Sequence, residues 1–384
     1  MNILKAGGPA RRPIALADPA RSVFPDRLPA LTSIRFWLAL GVVLFHYQLN
    51  IVAEGEQGLA LIERARLAVD FFFILSGFVL AHAYGSQVED GSYSHRRFLI
   101  ARLARIYPAH LAMLGLMLLI VLTALLSGQP FDIESYGPEG FLSALFLTHA
   151  WIPSLAPNEW NGPSWSLSAE WAAYLAFPIF AWAGLKVRRN PWIVTGVAAT
   201  LFLGLDAFYR WRFGDLLTHA ELNFGVLRIV PEFLLGVGLY RLGERLRWSR
   251  GMTVAMATGS IAALIGLMSV GADERLIVFS ASLVILSLAM LARTQADQVF
   301  AHPWLLEAGE ASYALYLVHL PLLILWKNGM ALFTGIDSSY RMSFPEAGVL
   351  LLLTLACAFA LHAFVERPAR RWIRKRFLFS DAVR

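Results

Sequence analysis

One cysteine occurs in 384 residues, Cys357, inside the apolar run LLLLTLACAFALHAF. A single thiol excludes a disulfide framework and a cysteine metal centre, and in such a run it packs as a small hydrophobe. Charge is scarce too: Asp, Glu, Lys and Arg make up 16% of the chain against 57% hydrophobic residues, where a soluble domain has about 25% charged. The mean hydropathy is +0.56. A set of water-soluble domains is therefore excluded, and so is nucleic-acid binding as the meaning of a pI near 9.6 and a net charge of +6. Cations held in loops beside anionic lipid account for that charge more simply. Strand-like alternation, internal repeats and low-complexity runs are absent, which removes a barrel. The first thirty residues lack the continuous apolar core of a secretory signal.

What is present is a series of apolar stretches near 31–49, 67–84, 109–127, 171–187, 191–205, 226–241, 252–270, 275–292, 311–333 and 347–364. They predict an all-α integral membrane protein of about ten transmembrane helices with both termini cytoplasmic. A half-length stretch from Phe141 leads into WIPSLAPNEWNGPSW and predicts a re-entrant segment near 141–165. With the N-terminus inside, Arg96, Arg97, Arg102, Arg105, Lys186, Arg188, Arg189, Arg241, Arg245, Arg247 and Arg250 fall on the cytoplasmic side. Glu54, Glu56, Glu63, Asp132, Glu134, Glu139, Asp273 and Glu274 fall opposite. The division is a cytoplasmic tail at 1–30, a transmembrane domain at 31–366 and a basic cytoplasmic tail at 367–384.

Polar groups within spans are costly and mark pairing or function. Arg35 and His46, eleven residues apart on the first span, share nearly one face about 16 Å apart. Each has a bland reading: a snorkelling anchor for Arg35, an interface histidine with one hydrogen bond for His46. Asp70 opens the second span at the depth where His46 ends the first, so it is expected on the His46 imidazole, fixing its tautomer. The Ser76-Gly77 pair that follows reads as close helix packing. Arg102 and Arg105 share a face and, with Arg96 and Arg97, form a cationic patch. This is either topology or a phosphate site suited to arginine. In NEWNGPSWSLSAEW, Ser166 and Glu170 share a face flanked by Trp165 and Trp171, and Glu170 needs a partner. Tyr313, Tyr316 and His319 lie on one late helix, where His319 makes a structural hydrogen bond or takes part in chemistry.

Taken in order, these segments resemble the membrane acyltransferase 3 family, integral-membrane acyltransferases that O-acetylate bacterial surface glycans and similar acceptors. The resemblance is carried by Arg35 with His46; by VDFFFILSGF (Asp70, Ser76, Gly77); by Arg102, Arg105, Tyr107 and Pro108; and by NGPSWSLSAEW (Asn161, Trp165, Ser166, Glu170). RIVPEFLLG (Arg228, Glu232, Gly236), SYALYLVHLP and FVERPARR (Glu366, Pro368, Arg370) continue it nearly to the end of the chain. Two departures stand out. LPALTSIRF replaces the usual Asp-Gly-Leu-Arg entry, and Glu170 is followed by Trp171 where two acidic residues are commoner. The fused extracytoplasmic hydrolase-like domain of some relatives is not in this sequence.

The resemblance implies acetyl-CoA or another acyl-CoA as donor on the cytoplasmic side, a carbohydrate or glycolipid hydroxyl as acceptor outside, no metal, and residence in the bacterial cytoplasmic (inner) membrane. On that reading Arg97, Arg102 and Arg105 bind the donor, and His46 is base or nucleophile, oriented by Asp70. Arg35 stabilises developing negative charge, and Glu170 completes the catalytic set. Asn161, Trp165, Ser166, Tyr313 and His319 contact substrate. The competing class is a multipass transporter using the same groups as a relay, and a third is a silent scaffold for glycan export. The oligomeric state leaves no mark in the sequence.

Overall fold

A computed structural model describes residues 23–53, 55–128, 134–152, 160–186, 190–335 and 340–378. Every regular element among them is helical, as a hydrocarbon solvent requires of backbone that cannot find partners elsewhere. The helices are α1 (Pro29–Ile51), α2 (Ala68–Asp90), α3 (His95–Leu126), α4 (Pro138–Leu145), α5 (Trp165–Leu175) and α6 (Pro191–Phe213). After them come α7 (Gly225–Arg245), α8 (Arg250–Ser269), α9 (Glu274–Arg293), α10 (Pro303–Thr334), α11 (Phe344–Leu361) and α12 (Arg367–Leu378).

Eight helical stretches are long and apolar enough to cross a membrane. The two other expected spans differ for identifiable reasons. The 171–187 stretch is broken into α5, a short helix Phe177–Ala181 and a π-helical turn Trp182–Lys186. The 226–241 stretch is the continuous α7, which carries Arg228, Glu232 and Arg241 along its length. Helix starts are set by side-chain caps: Asn190, Ser249 and Asp273 accept from backbone N–H groups of α6, α8 and α9, and Ser343 forms a capping box with Glu346 on α11. Gly91 and Gly335 end α2 and α10 at φ +78° and +71°, a region costly for other residues.

Burial ranks the helices. The apolar windows of α2, α9 and α10 are 67%, 78% and 67% buried, while that of α8 is 17% buried and faces outward. α2 and α7 run parallel and nearly touch. A Cβ built on Gly77 would lie 2.0 Å from the Phe233 carbonyl oxygen, and one on Gly236 would lie 1.9 Å from that of Ile74. The small-residue packing read at Ser76-Gly77 is thus real, and Gly236 is its other half. α1 packs along α10 in the same way, with Gly309 against the Thr32 backbone.

Residues 1–22 and 379–384 lie outside the described residues, but Phe24, placed in the N-terminal tail, is buried against Phe78 and Tyr240. An aromatic ring so close to α1 is drawn into the bundle by its apolar area. The basic segment after 366 is helical, and α12 packs on α3. The Phe141 stretch forms α4, eight residues long, or about 12 Å, too short to span. It is tied to α3 by the Tyr107 hydroxyl, which donates to the Leu145 carbonyl at 2.9 Å, and by His110 Nε2, which donates to that of Ala144 at 2.9 Å. Of the onward path to 165, residues 153–159 lie outside the described residues.

Candidate active site

Two cavities lie end to end in the bundle and have Val69 and Tyr316 in common. The first, about 160 Å³, is lined by Arg35 of α1, Ser76 of α2, Arg102 and Arg105 of α3, Glu170 and Tyr174 of α5, and Tyr313 of α10. The second, about 460 Å³, is lined by His46 and Asn50 of α1, Arg66, Trp165, Glu221, Arg228 and Lys327. Arg35 and His46 thus open into different cavities, as eleven residues of helix dictate. The second cavity has Phe45, Arg66 and Glu221 in common with a surface bowl of about 980 Å³.

In the arginine cavity the cations differ in their commitments. Arg105 is ion-paired with the buried Glu366, whose other oxygen accepts from His362 Nδ1 at 2.9 Å, and it lies 5.4 Å above the Tyr313 ring. Arg102 stands among Tyr84, Phe98 and Tyr174, 5.8 to 6.0 Å from each ring. Its Nε is buried without a hydrogen-bond partner, an arrangement that leaves a strong donor unspent. Arg97 does not line the cavity; it sits exposed in the first turn of α3, where its backbone N–H meets the Ser94 cap. Tyr313 donates to the Ile106 carbonyl at 2.5 Å and belongs to this cavity.

Glu170 also belongs here. It accepts from Ser76 Oγ at 2.6 Å and faces the arginines, not His46. Trp160, Asn161, Ser164 and Trp165 are all buried, so the helix starts inside the bundle rather than at its surface. Ser166 lies at the junction, its hydroxyl 2.9 Å from that of Tyr316 and each of them 3.0 Å from the Pro163 carbonyl; with one proton apiece, one donates to the carbonyl and the other to its neighbouring hydroxyl. The Asn161 side chain is buried without a hydrogen-bond partner and lines neither cavity.

In the second cavity the expected Asp70–His46 contact is replaced. Arg228 Nε and NH2 donate to Asp70 Oδ1 and Oδ2 at 2.7 and 2.5 Å, with both side chains at most 1% exposed. The guanidinium lies 5.1 Å above the Trp165 ring. A buried carboxylate takes the partner able to satisfy both its oxygens at once, and a bidentate arginine does so where one imidazole N–H cannot. His46 instead has its Nδ1 2.9 Å from the Val42 carbonyl and 3.2 Å from His319 Nε2, with the two rings 4.9 Å apart. A carbonyl only accepts, so the proton sits on Nδ1. The Nε2 lone pair is then the basic atom His46 presents to the cavity it lines. Arg228 was visible in the sequence within RIVPEFLLG but without a role; the signal that could have found it is the need of buried Asp70 for a cation.

The bowl is held in shape by one carboxylate. Glu274 accepts from Arg64 at 3.0 Å, from Arg66 at 2.5 Å and from Thr218 at 2.5 Å. Among the described residues no group of His, Cys, Asp and Glu is arranged to hold a metal ion.

An acyltransferase domain model of the type 3 class matches residues 28–363. Acyltransferase MdmB of Streptomyces mycarofaciens is 30% identical over 91% of this chain and 93% of its own length. Protein 2 in the picA locus of Rhizobium radiobacter is 31% identical over 47% of this chain and 94% of itself. A Staphylococcus aureus protein named "Putative O-acetyltransferase" is 24% identical over 90% of this chain and 57% of its own length. No solved structure matches.

Proposed function

This chain belongs to the acyltransferase 3 family and is a multi-pass membrane acyltransferase, and from that premise we propose that it moves an acyl group, most simply acetyl, from acyl-CoA at the arginine end to a hydroxyl of a carbohydrate or glycolipid acceptor at the other. The observation that carries the reading is the pair of cavities meeting at Val69 and Tyr316, one rich in arginine and the other presenting an imidazole nitrogen. Two substrates with opposite chemistry approach one junction from opposite ends.

The arginine cavity is far smaller than the about 300–1,000 Å³ that encloses a whole drug-sized ligand. It fits the thioester end of a long carrier, with the nucleotide left outside near Arg97 and the basic face of α12. Arg102, with its unpartnered Nε, and Arg105 then grip the donor as it enters. Arg35 makes no hydrogen bond or ion pair within contact distance among the described residues and faces the same space, so it is the cation free to stabilise charge on the thioester oxygen or the departing thiolate. Glu170 balances these cations.

On the other side, His46 Nε2 takes the acceptor's hydroxyl proton as that oxygen attacks the thioester carbonyl, and the proton then passes to the thiolate. His46 is equally placed to take the acyl group itself and hand it on. We place the enzyme in the bacterial inner membrane with its arginine end cytoplasmic, following the charge asymmetry of the loops.

The test uses purified protein in vesicles with acetyl-CoA labelled in the acetyl group and a glycan bearing free hydroxyls. Label on the glycan, lost in His46→Ala, is expected. Glycan movement across the bilayer without label would make the protein a transporter.

A further inference from the structure

We propose that His319 is the positioning residue that holds His46 in its reactive tautomer, the part Asp70 is committed elsewhere to play. This rests on the reading that His46 Nε2 receives the acceptor's proton.

Asp70 is fully engaged by Arg228, so no carboxylate contacts His46 among its hydrogen-bond partners. What surrounds its Nδ1 is the Val42 carbonyl, one turn back on α1, and His319 Nε2 on α10. A single N–H pointing between two acceptors is held in direction by both. For His319 to be one of them, its own Nε2 must be unprotonated, which leaves its ring proton on Nδ1. That Nδ1 is buried without a hydrogen-bond partner, so the contact with His46 is the one side-chain hydrogen bond His319 makes among the described residues.

Two further observations separate this role from substrate contact. His319 is 0% exposed, and it lines neither the two cavities nor the bowl. His46 itself is partly exposed and lines the second cavity. The pair is therefore ordered from the core outward: His319, His46, cavity. When His46 takes a proton on Nε2 it becomes a cation, and the Nδ1–H then donates to a neutral imidazole lone pair and a carbonyl. Both acceptors strengthen as the donor gains charge, so the contact contributes more in the transition state than in the resting enzyme. The other charged groups facing this cavity are Arg66, Glu221, Arg228 and Lys327. Arg66 is bonded to Glu274 and Arg228 to Asp70, and neither contacts the His46 ring.

The experiment compares His319→Gln with His319→Asn in the full-length enzyme, measuring kcat and both KM values with labelled acetyl-CoA and the acceptor used above. A glutamine amide reaches as far as imidazole Nε2 and can present an oxygen to His46; an asparagine amide stops near the Nδ1 position. Glutamine is expected to keep most of kcat. Asparagine is expected to lower it roughly 10- to 100-fold with both KM values within two-fold of the parent, a smaller loss than the about 10⁴-fold seen where the charged partner of a catalytic imidazole is altered. Equal kcat for the two variants overturns the proposal, as does a rise in acceptor KM at unchanged kcat, which would make His319 a substrate contact. His46→Ala separates the two layers: if it transfers acyl groups normally the underlying reading fails, and if it is inactive while both His319 variants work at the parental rate, only this inference fails.

Discussion

Replacing Asp70 by leucine in this protein removes one half of a buried ion pair, and the geometry sets the size of the effect. Two charge-assisted bonds of 2.7 and 2.5 Å are lost, and a guanidinium 1% exposed is left without a counter-ion in the bundle interior. Breaking such a pair from one side costs about 3–5 kcal/mol, most of it the stranded charge rather than the lost attraction. Arg228→Met alone strands the carboxylate and also removes the cation over Trp165, a contact contributing about 1 kcal/mol. The double variant removes both charges of the pair and leaves Glu232 as the buried carboxyl beside it, and apolar pairs of similar volume are tolerated at such places. It should therefore be more stable than either single variant, with a coupling of at least about 2 kcal/mol. Equilibrium unfolding of the purified protein in mixed micelles, run on parent, both singles and the double, measures this directly. Costs that simply add, with coupling under about 0.5 kcal/mol, would refute the pairing argument. So would a fully stable Asp70→Asn enzyme as inactive as His46→Ala, since Asp70 would then be acting on the chemistry.

Two more perturbations probe other parts of the bundle. Gly236→Ala drives a methyl group into the Ile74 carbonyl, a backbone obstacle that cannot swing away, so it should cost at least the about 1–3 kcal/mol usual for overpacking; Gly259→Ala on α8, with open space around it, should cost nothing in the same unfolding assay, and equal effects would falsify the close α2–α7 approach. Asp273, capping α9 outside the membrane-spanning segment, is held down to about 2 by hydrogen bonds from Arg275. A carboxylate lowered in the folded state contributes stability that is complete above its unfolded value, about 4, and that disappears as pH falls toward 2. Asp273→Asn should flatten that acid limb in a thermal-stability titration, and parallel curves for parent and variant would contradict it.

The sequence rule that intramembrane charge is either paired or functional picked out residues that matter to the interior: Arg35, Asp70, Glu170 and His319 are all drawn into the bundle. Helical periodicity also put Arg35 and His46 about 16 Å apart on one helix, and in the structure they open into separate cavities. Neither signal says which helix stands opposite. Asp70 has its counter-ion 158 positions away on α7, and from composition alone His46 was as good a candidate neighbour. Only the glycine contacts that press α2 against α7 decide between them. Glu170 was read as needing a partner and has one in Ser76 of α2, but the pattern along α5 does not say which helix supplies it. The pairing of His46 with His319 likewise depends on how α1 crosses α10, which no single-helix pattern records.

The meeting of the cavities at Val69 and Tyr316, with Ser166 bonded to Tyr316 there, has an electrical consequence for the proposed reaction. Carrying a coenzyme's phosphates through a membrane against the resting voltage would cost about 2.3 kcal/mol per charge for each 100 mV. An acetyl group is neutral and crosses such a field without that penalty. On the proposed reaction, a constriction that admits the small neutral group and detains its charged carrier lets chemistry proceed between two compartments while the membrane remains an insulator.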